Sequence, residues 1–464
     1  TPKKEQEELP VPGRIWWRVG LSAYLGIVAG GFGGKPPALA ETPPPKQAKP
    51  ARPPDVGKRL ITDFGCPICH ELPGFKTTIR EEAPNLSLEG EMVRPEWLFA
   101  FLKNPTRIRP AIRGRMPDFR LNDREALALT KYLMSLRDGL PEPPAALRYR
   151  EKPNVKFVAA AKKMTGKDYF DCFSCHLLKD RKPGGKREDW APDLNRIRHR
   201  FRPDFFLKWL VDPNRYRPGT KMPEFFPDEE SGPDDILEGD ELKQMAALRD
   251  YLMSLGPVKT DPGYTRAKAA YPNVRPSEGR KLMVRLNCVG CHQVARMPRG
   301  KRVGPSLAHE GSRVRREWLV AFLKNPGVIK PEYALMVGGK GAGPRMPSFG
   351  FTSKEVASIA DFMERTLVDP QAKDPFVTSP PTTELVRQGE KLFSQKFCNN
   401  CHRVKQRPGG IGPDLTHAGR RLQPGWTVNF IQRPSHYLDT RMPNLKVNDG
   451  EARALATYIL GRKP

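Results

Sequence analysis

Cys66-Pro67-Ile68-Cys69-His70 is the first of four copies of one five-residue pattern. The others are Cys172-Phe173-Ser174-Cys175-His176, Cys288-Val289-Gly290-Cys291-His292 and Cys398-Asn399-Asn400-Cys401-His402. Together they use all eight cysteines of the 464-residue chain. Cys-x-x-Cys-His is the attachment signature of c-type haem. On a helical turn, residues i and i+3 share a face, so both thiols reach the two vinyl groups of one haem. The histidine that follows turns its ring under the iron as proximal ligand. A zinc site would need a second ligand pair at a matching distance and has no use for a histidine beside the second cysteine. Disulfide staples do not repeat one spacing four times. A thioredoxin-like motif would sit in a βαβ pattern, and none is visible. The motifs therefore predict four covalently bound haem c groups. Cys66, Cys69, Cys172, Cys175, Cys288, Cys291, Cys398 and Cys401 attach them, and His70, His176, His292 and His402 ligate the irons.

The motif histidines are 106, 116 and 110 residues apart, so each repeat is long enough to be a domain with its own core. Every repeat runs through the same events. A short amphipathic helix leads into the motif. A Pro-x-Leu follows, at Pro84, Pro192, Pro305 and Pro413. An apolar helix comes next, with Trp97, Phe205, Trp318 or Trp426 near its start, and Pro105, Pro213, Pro326 or Pro434 ends it. A basic residue then precedes Met-Pro, at Met116, Met222, Met346 and Met442. A last helix carries Tyr132, Tyr251, Phe362 or Tyr458. The second repeat has an acidic insertion between Phe226 and Leu242, expected to be a solvated surface loop, with a docking patch as its other reading.

The four Met-Pro sites lie 46, 46, 54 and 40 residues after their histidines. That leaves room for one helix and a returning loop, which brings the chain over the opposite haem face. A thioether there completes the coordination and raises the potential, whereas a second imidazole lowers it. Met116, Met222, Met346 and Met442 are the expected sixth ligands. Met134 and Met253 sit in helical runs and read as core fillers. Met297-Pro298 lies five residues after His292, too close to cross a haem. The spare histidines are His199, His309, His417 and His436, and none falls in the first repeat.

These residues resemble class I cytochrome c in four tandem copies over roughly residues 52–464. The resemblance implies small all-α domains whose first and last helices cross. By that likeness Gly57, Gly279 and Gly389 would pack near Tyr132, Phe362 and Tyr458. In the second repeat the corresponding position is Lys163, and the nearest small residue upstream is Ala161. The likeness also implies that the carbonyls of Pro84, Pro192, Pro305 and Pro413 accept a hydrogen bond from the proximal imidazoles. The expected domains span 56–140, 155–257, 274–368 and 384–464. Proline-rich spacers separate them at 141–153, 257–272 and 370–381.

Residues 1–55 differ in kind. Lys3, Lys4, Arg14 and Arg18 precede an apolar run from Val19 to Phe32, followed by Ala38-Leu39-Ala40 and a proline-rich tether. This is the layout of a signal peptide, or of an uncleaved anchor with Trp16 and Trp17 at the interface. Both readings send the rest of the chain across the membrane, to the periplasmic side. The formal net charge is +27, which steers the chain toward acidic redox partners or an anionic surface. Nucleic-acid binding does not fit charge spread through haem domains on that side of a membrane.

The sequence thus predicts an all-α tetrahaem cytochrome that relays single electrons between a membrane donor and an acceptor, as an electron-transfer protein rather than an enzyme. The repeated Trp-Leu-x-x-Phe-Leu-x-x-x-Pro wording is similar to c-domains attached to quinol-oxidising complexes. Two rival readings stand beside it. One is an extracellular conduit or filament, which would favour bis-histidine ligation. The other is a haem enzyme with one displaceable methionine, with the Gly338–Gly343 insertion before Met346 as the place to look.

Overall fold

The computed structural model describes residues 53–461 apart from 76–82, 109–114, 138, 140–141, 152–153, 180, 185, 228–230, 257–260, 295, 299–303, 330–345, 377–379, 405–411, 439 and 441. The N-terminal apolar run and the Gly338–Gly343 insertion lie outside the described residues. Among the described residues the regular structure is helical, and extended backbone pairs only in isolated bridges. No helix among them is long and apolar enough to cross a membrane.

The first segment carries α1 (Pro53–Asp63), α2 (Pro95–Lys103) and α3 (Asp123–Met134). The second carries α4 (Val155–Met164), α5 (Phe205–Val211) and α6 (Glu241–Ser254). After α7 (Pro262–Ala270), the third carries α8 (Pro276–Arg285), α9 (Arg316–Lys324) and α10 (Ser353–Thr366). The fourth carries α11 (Thr383–Gln395), α12 (Pro424–Gln432) and α13 (Asp449–Leu460). The last helices start where side chains satisfy the free backbone N–H groups. Asn122 with Glu125, Thr352 with Glu355 and Asn448 with Glu451 form capping boxes. At α6 the Asp240 carboxylate accepts from the Lys243 N–H.

Two expectations about connecting segments change. The spacer 257–272 contains a helix, α7, which starts with Pro262 just inside a capping Asp261 and packs on α2 and α3. Its Tyr264 ring meets Phe99 at 5.8 Å. The acidic insertion of the second segment is also partly folded in. Phe226 and Ile236 are buried, and the Gln244 amide donates to the carbonyls of Pro233 and Ile236. Asp235 accepts from Lys163 and from the Tyr169 hydroxyl. Its buried apolar residues and the Asp235 contacts together hold the described part of that loop on the domain.

The crossing of first and last helices is present, but its partners differ from the expected ones in half of the molecule. In the second and fourth segments the helices pack within the segment, α4 on α6 and α11 on α13. Ala161 supplies the small residue of α4 and is fully buried. In the other two the helices are exchanged: α1 packs on α10, and α8 packs on α3. Gly57 lies against Ser358 and Phe362, where a Cβ would come 2.2 Å from the Ser358 carbonyl oxygen. Gly279 lies against Ala128 and Tyr132, where a Cβ would come 2.0 Å from the Ala128 carbonyl oxygen. The expected Gly57–Tyr132 and Gly279–Phe362 pairings are therefore interchanged, and Gly389 meets Tyr458 as expected. The reason is chemical equivalence. Both first helices present a glycine at the same register, so either last helix can receive either one.

The remaining contacts follow a pseudo-two-fold plan. Val93 bridges Phe201, and Arg94 N–H donates to the Arg200 carbonyl at 2.8 Å. Val314 bridges Leu422, and Arg315 N–H donates to the Arg421 carbonyl at 2.8 Å. The first segment thus docks on the second as the third docks on the fourth. The two halves then meet through Asp118 and Ser348, each two residues past its Met-Pro methionine, which exchange backbone bonds of 2.7 and 2.8 Å. Arg115 donates to the Phe349 carbonyl and pairs with Glu355 at 3.1 Å. Lys208 and Glu91, both buried, pair at 3.3 Å across the first and second segments.

Two experiments check this packing. Gly389→Ala forces a methyl into the Ala454 carbonyl, 2.0 Å away, and is expected to cost about 1–3 kcal/mol in thermal or denaturant unfolding. Gly450→Ala, at the open start of α13, is the control and should be neutral or stabilising. Lys208→Met takes the nearer and more deeply buried of two cations from Glu91, leaving Arg137 at 3.7 Å, and should cost about 1.5–3 kcal/mol, largely recovered by adding Glu91→Gln.

Candidate haem-binding sites

Each motif begins with a residue in the left-handed region: Gly65 at φ 67°, Asp171 at 41°, Asn287 at 57° and Phe397 at 57°. This turns the chain out of the preceding helix and into the short Cys-x-x-Cys turn. The turn then closes by a histidine N–H donating to the first cysteine's carbonyl, at 3.0, 2.9, 2.9 and 2.8 Å from His70 to His402. Glycine, asparagine and aspartate accept positive φ at low cost, whereas a phenylalanine does not.

The proximal rings are held alike. Nδ1 of His70, His176, His292 and His402 lies 2.9 Å from the carbonyl oxygen of Pro305, Pro192, Pro84 and Pro413, respectively. A carbonyl only accepts, so Nδ1 carries a proton, and in the neutral ring Nε2 then keeps its lone pair for a metal. Burial pushes the pKa of His70, His176 and His292 down, against the pull of the carbonyl, so these imidazoles are neutral as ligation requires. Gly304 and Gly412 press on the rings, where a Cβ would come 2.4 Å from His70 and 2.8 Å from His402. Burial likewise raises the thiols of Cys69 and Cys398, and pushes Cys172 up to about 11 and Cys288 up to about 12.

The four expected carbonyl acceptors are thus all in use. Two are exchanged: His70 takes Pro305 of the third segment, and His292 takes Pro84 of the first. The exchange extends along the backbone. Gly304 N–H donates to Cys69, Leu307 to Glu71, and Leu86 to Gln293, just as Gly412 donates to Cys401 and Leu415 to Arg403 inside the fourth segment.

One cavity of about 560 Å³ is lined by Cys66, Cys69, His70 and Met346 together with Cys288, Cys291, His292 and Met116. The first and third motifs therefore open into common space. They touch directly: Asn287 Nδ2 lies 3.4 Å from Cys69 Sγ, and Gly290 faces Ile68, whose Cγ2 would lie 2.7 Å from an added Cβ. The walls are mostly apolar and include Phe119, Trp318, Leu319, Phe349 and Phe351. A long apolar cavity carrying thiols and a lone-pair nitrogen suits a haem, which would take its attachment from the cysteines and its proximal ligand from Nε2.

All four Met-Pro methionines are half-buried. Met222 has a contact the sequence did not flag: Trp209 Nε1 donates to its Sδ at 2.9 Å. The signal was there, because the other segments carry Phe101, Phe322 and Phe430 in the same place. Of the spare histidines, His199 lies in the short helix Ile197–Arg200. His309 and His436 both rest on Tyr437, and His436 is exposed. His417 stands at the N-cap position of a short helix without a side-chain capping bond.

Residues 276–366 match the family model of cytochrome c, and residues 384–459 match that of cytochrome C oxidase, cbb3-type, subunit III. Comparison with curated proteins and with solved structures gave no match. The chain therefore carries c-type cytochrome domains, which bind covalent haem c and serve electron transfer. Phe397 is exposed and gives up little packing on replacement. Phe397→Gly should raise the unfolding free energy by about 1 kcal/mol by relieving the left-handed backbone, and a drop in melting temperature would show that the ring holds the fourth motif in place.

Proposed function

We propose that this chain is a tetrahaem cytochrome that relays single electrons between a quinol-level membrane donor and a higher-potential acceptor. The observation that carries the reading is the repetition of one arrangement at every Cys-x-x-Cys-His: a histidine ring fixed through Nδ1 by a proline carbonyl at 2.9 Å. Four Met-Pro methionines at the same place in the repeats supply a thioether for each site. Bound haem c supplies one-electron Fe(III)/Fe(II) cycling, with no bond made or broken on a substrate.

The chain's own residues set the conditions for that chemistry. The proline carbonyls fix each imidazole ring and raise its basicity. Met116, Met222, Met346 and Met442 fill the sixth positions, which keeps reorganisation small and oxygen away. The apolar walls exclude water. The Trp209 N–H on Met222 draws electron density from the sulfur and so favours the ferrous state at the second site.

The match of the last segment to a cbb3-type oxidase subunit model supports association with a membrane electron-transfer complex. The apolar run Val19–Phe32 behind Arg14 and Arg18 supports a periplasmic location next to the membrane, by anchor or by signal peptide. The net charge of +27 supports an acidic redox partner with salt-sensitive rates.

A redox titration with near-infrared absorption tests the reading. Four haems at moderately high potential, each with the weak methionine–Fe(III) band at the red edge, are expected. Low potentials without that band would remove methionine ligation and favour the conduit, and a high-spin fraction would favour a catalytic site. In the same titration Trp209→Phe should lower one potential and leave the other three in place.

A further inference from the structure

We infer that the first and third haem sites exchange their sixth ligands: the haem attached at Cys66 and Cys69 is ligated by His70 and Met346, and the haem attached at Cys288 and Cys291 by His292 and Met116. This rests on the His/Met reading above and assigns which methionine serves which histidine. Along the chain each histidine would take the methionine of its own segment. The packing pairs them otherwise. Cys66 and Met346 border one apolar core, built from Ile61, Phe64, Leu307, Leu319 and Phe351. Cys288 and Met116 border another, built from Leu86, Leu98, Leu127, Leu282 and Val289. Neither methionine borders the core of its own segment's motif.

The proximal side requires the same crossing. The ring of His70 is fixed by Pro305, and α1 crosses α10, so the haem on the first motif is enclosed by the third segment's proline loop and last helix. The methionine loop that faces that enclosure is the one leading into α10, which carries Met346. The mirror statement holds for His292, Pro84, α3 and Met116. The two methionine loops are tied to each other rather than free to trade places. Asp118 and Ser348 pair through their backbones, and Arg120 donates to the Met346 carbonyl at 3.1 Å. The result is one two-haem compartment in which every ligand set is drawn from both halves of the chain.

The pairing can be read spectroscopically in the full-length protein. Cys66→Ala with Cys69→Ala removes the haem of the first motif. In that background Met116→Ala is expected to turn one haem high-spin and remove its share of the near-infrared methionine band. Met346→Ala is expected to change neither, because its haem is absent. The reverse outcome, with Met346→Ala producing the high-spin haem, overturns the exchange. A different failure is separable: if neither Met116→Ala nor Met346→Ala alters the spectrum of the otherwise native chain, the His/Met reading itself falls, and the exchange with it.

A second measurement keeps all four haems and does not depend on removing one. Arg124 pairs with Glu278 at 2.6 Å across α3 and α8, both at accessible positions. The residue in the same place on α10 is Lys354, eight after its methionine as Arg124 is after Met116. In monomeric Arg124→Lys protein, carbodiimide coupling should join position 124 to Glu278. Lys396 and Glu451, 3.4 Å apart inside the fourth segment, are the positive control. A product joining Lys354 to Glu278, or control coupling without the 124–278 product, overturns the proposal.

Discussion

A histidine ring held 2.9 Å from a proline carbonyl, four times over, is the interaction on which the rest of the molecule depends. It fixes the proton on Nδ1, and at His70 and His292 it sets the ring in the wall of a mostly apolar cavity. It also fixes how the chain must run, because the carbonyl and the motif have to meet face to face. The backbone bonds beside it, such as Leu194 to Leu177 and Leu415 to Arg403, extend the same seam. Helix crossings at Gly57, Gly279 and Gly389 then close the domain around the motif. The methionine loops and the helix packing are arranged around that seam.

The exchange between the first and third segments costs little because the contacts made are of the same kind as those given up. Gly57 and Gly279 present the same notch, and Pro84 and Pro305 present the same acceptor. Charge is also traded nearly evenly, since Arg124 and Lys354 occupy equivalent places on their helices. The molecule resembles a domain-swapped dimer whose two subunits have been joined into one chain. Each half is a two-segment unit, docked through Val93 and Phe201 in one and through Val314 and Leu422 in the other. A symmetric contact at Asp118 and Ser348 joins the halves.

Much of this was legible in the sequence. Motif spacing singled out the cysteines, histidines and methionines as candidates, because these signals are local and repeat in register, and the resemblance to class I cytochrome c pointed to the proline acceptors. The all-helical class and the packing role of the glycines followed from the same resemblance. Ala161 could be found as the substitute small residue of the second segment, since it lies one helical turn or less from Lys163. The exchange was not legible: four copies of one pattern carry no label saying which first helix belongs to which last helix. The helix α7 hid in a spacer whose prolines outweighed Asp261-Pro262 and the alanines that follow. Trp209 drew no reading from the sequence, because the acceptor of its N–H lies 13 residues away on another loop.

The crossed seam also sets an order in which the sites can be finished as the chain emerges from its N-terminus. His176 finds its acceptor 16 residues on, so the second site closes as soon as it is made. The first motif appears earlier still, yet its acceptor is 235 residues downstream, and it must wait with its thiols and imidazole uncovered. When the third motif appears, its acceptor at Pro84 has already been waiting 208 residues upstream. The oldest motif is therefore completed after the second and third, and the fourth closes on its own over 11 residues. A chain that stops short of residue 305 lacks the acceptor that His70 uses here, and the same first motif would have to close on Pro84, the acceptor that the full chain gives to His292.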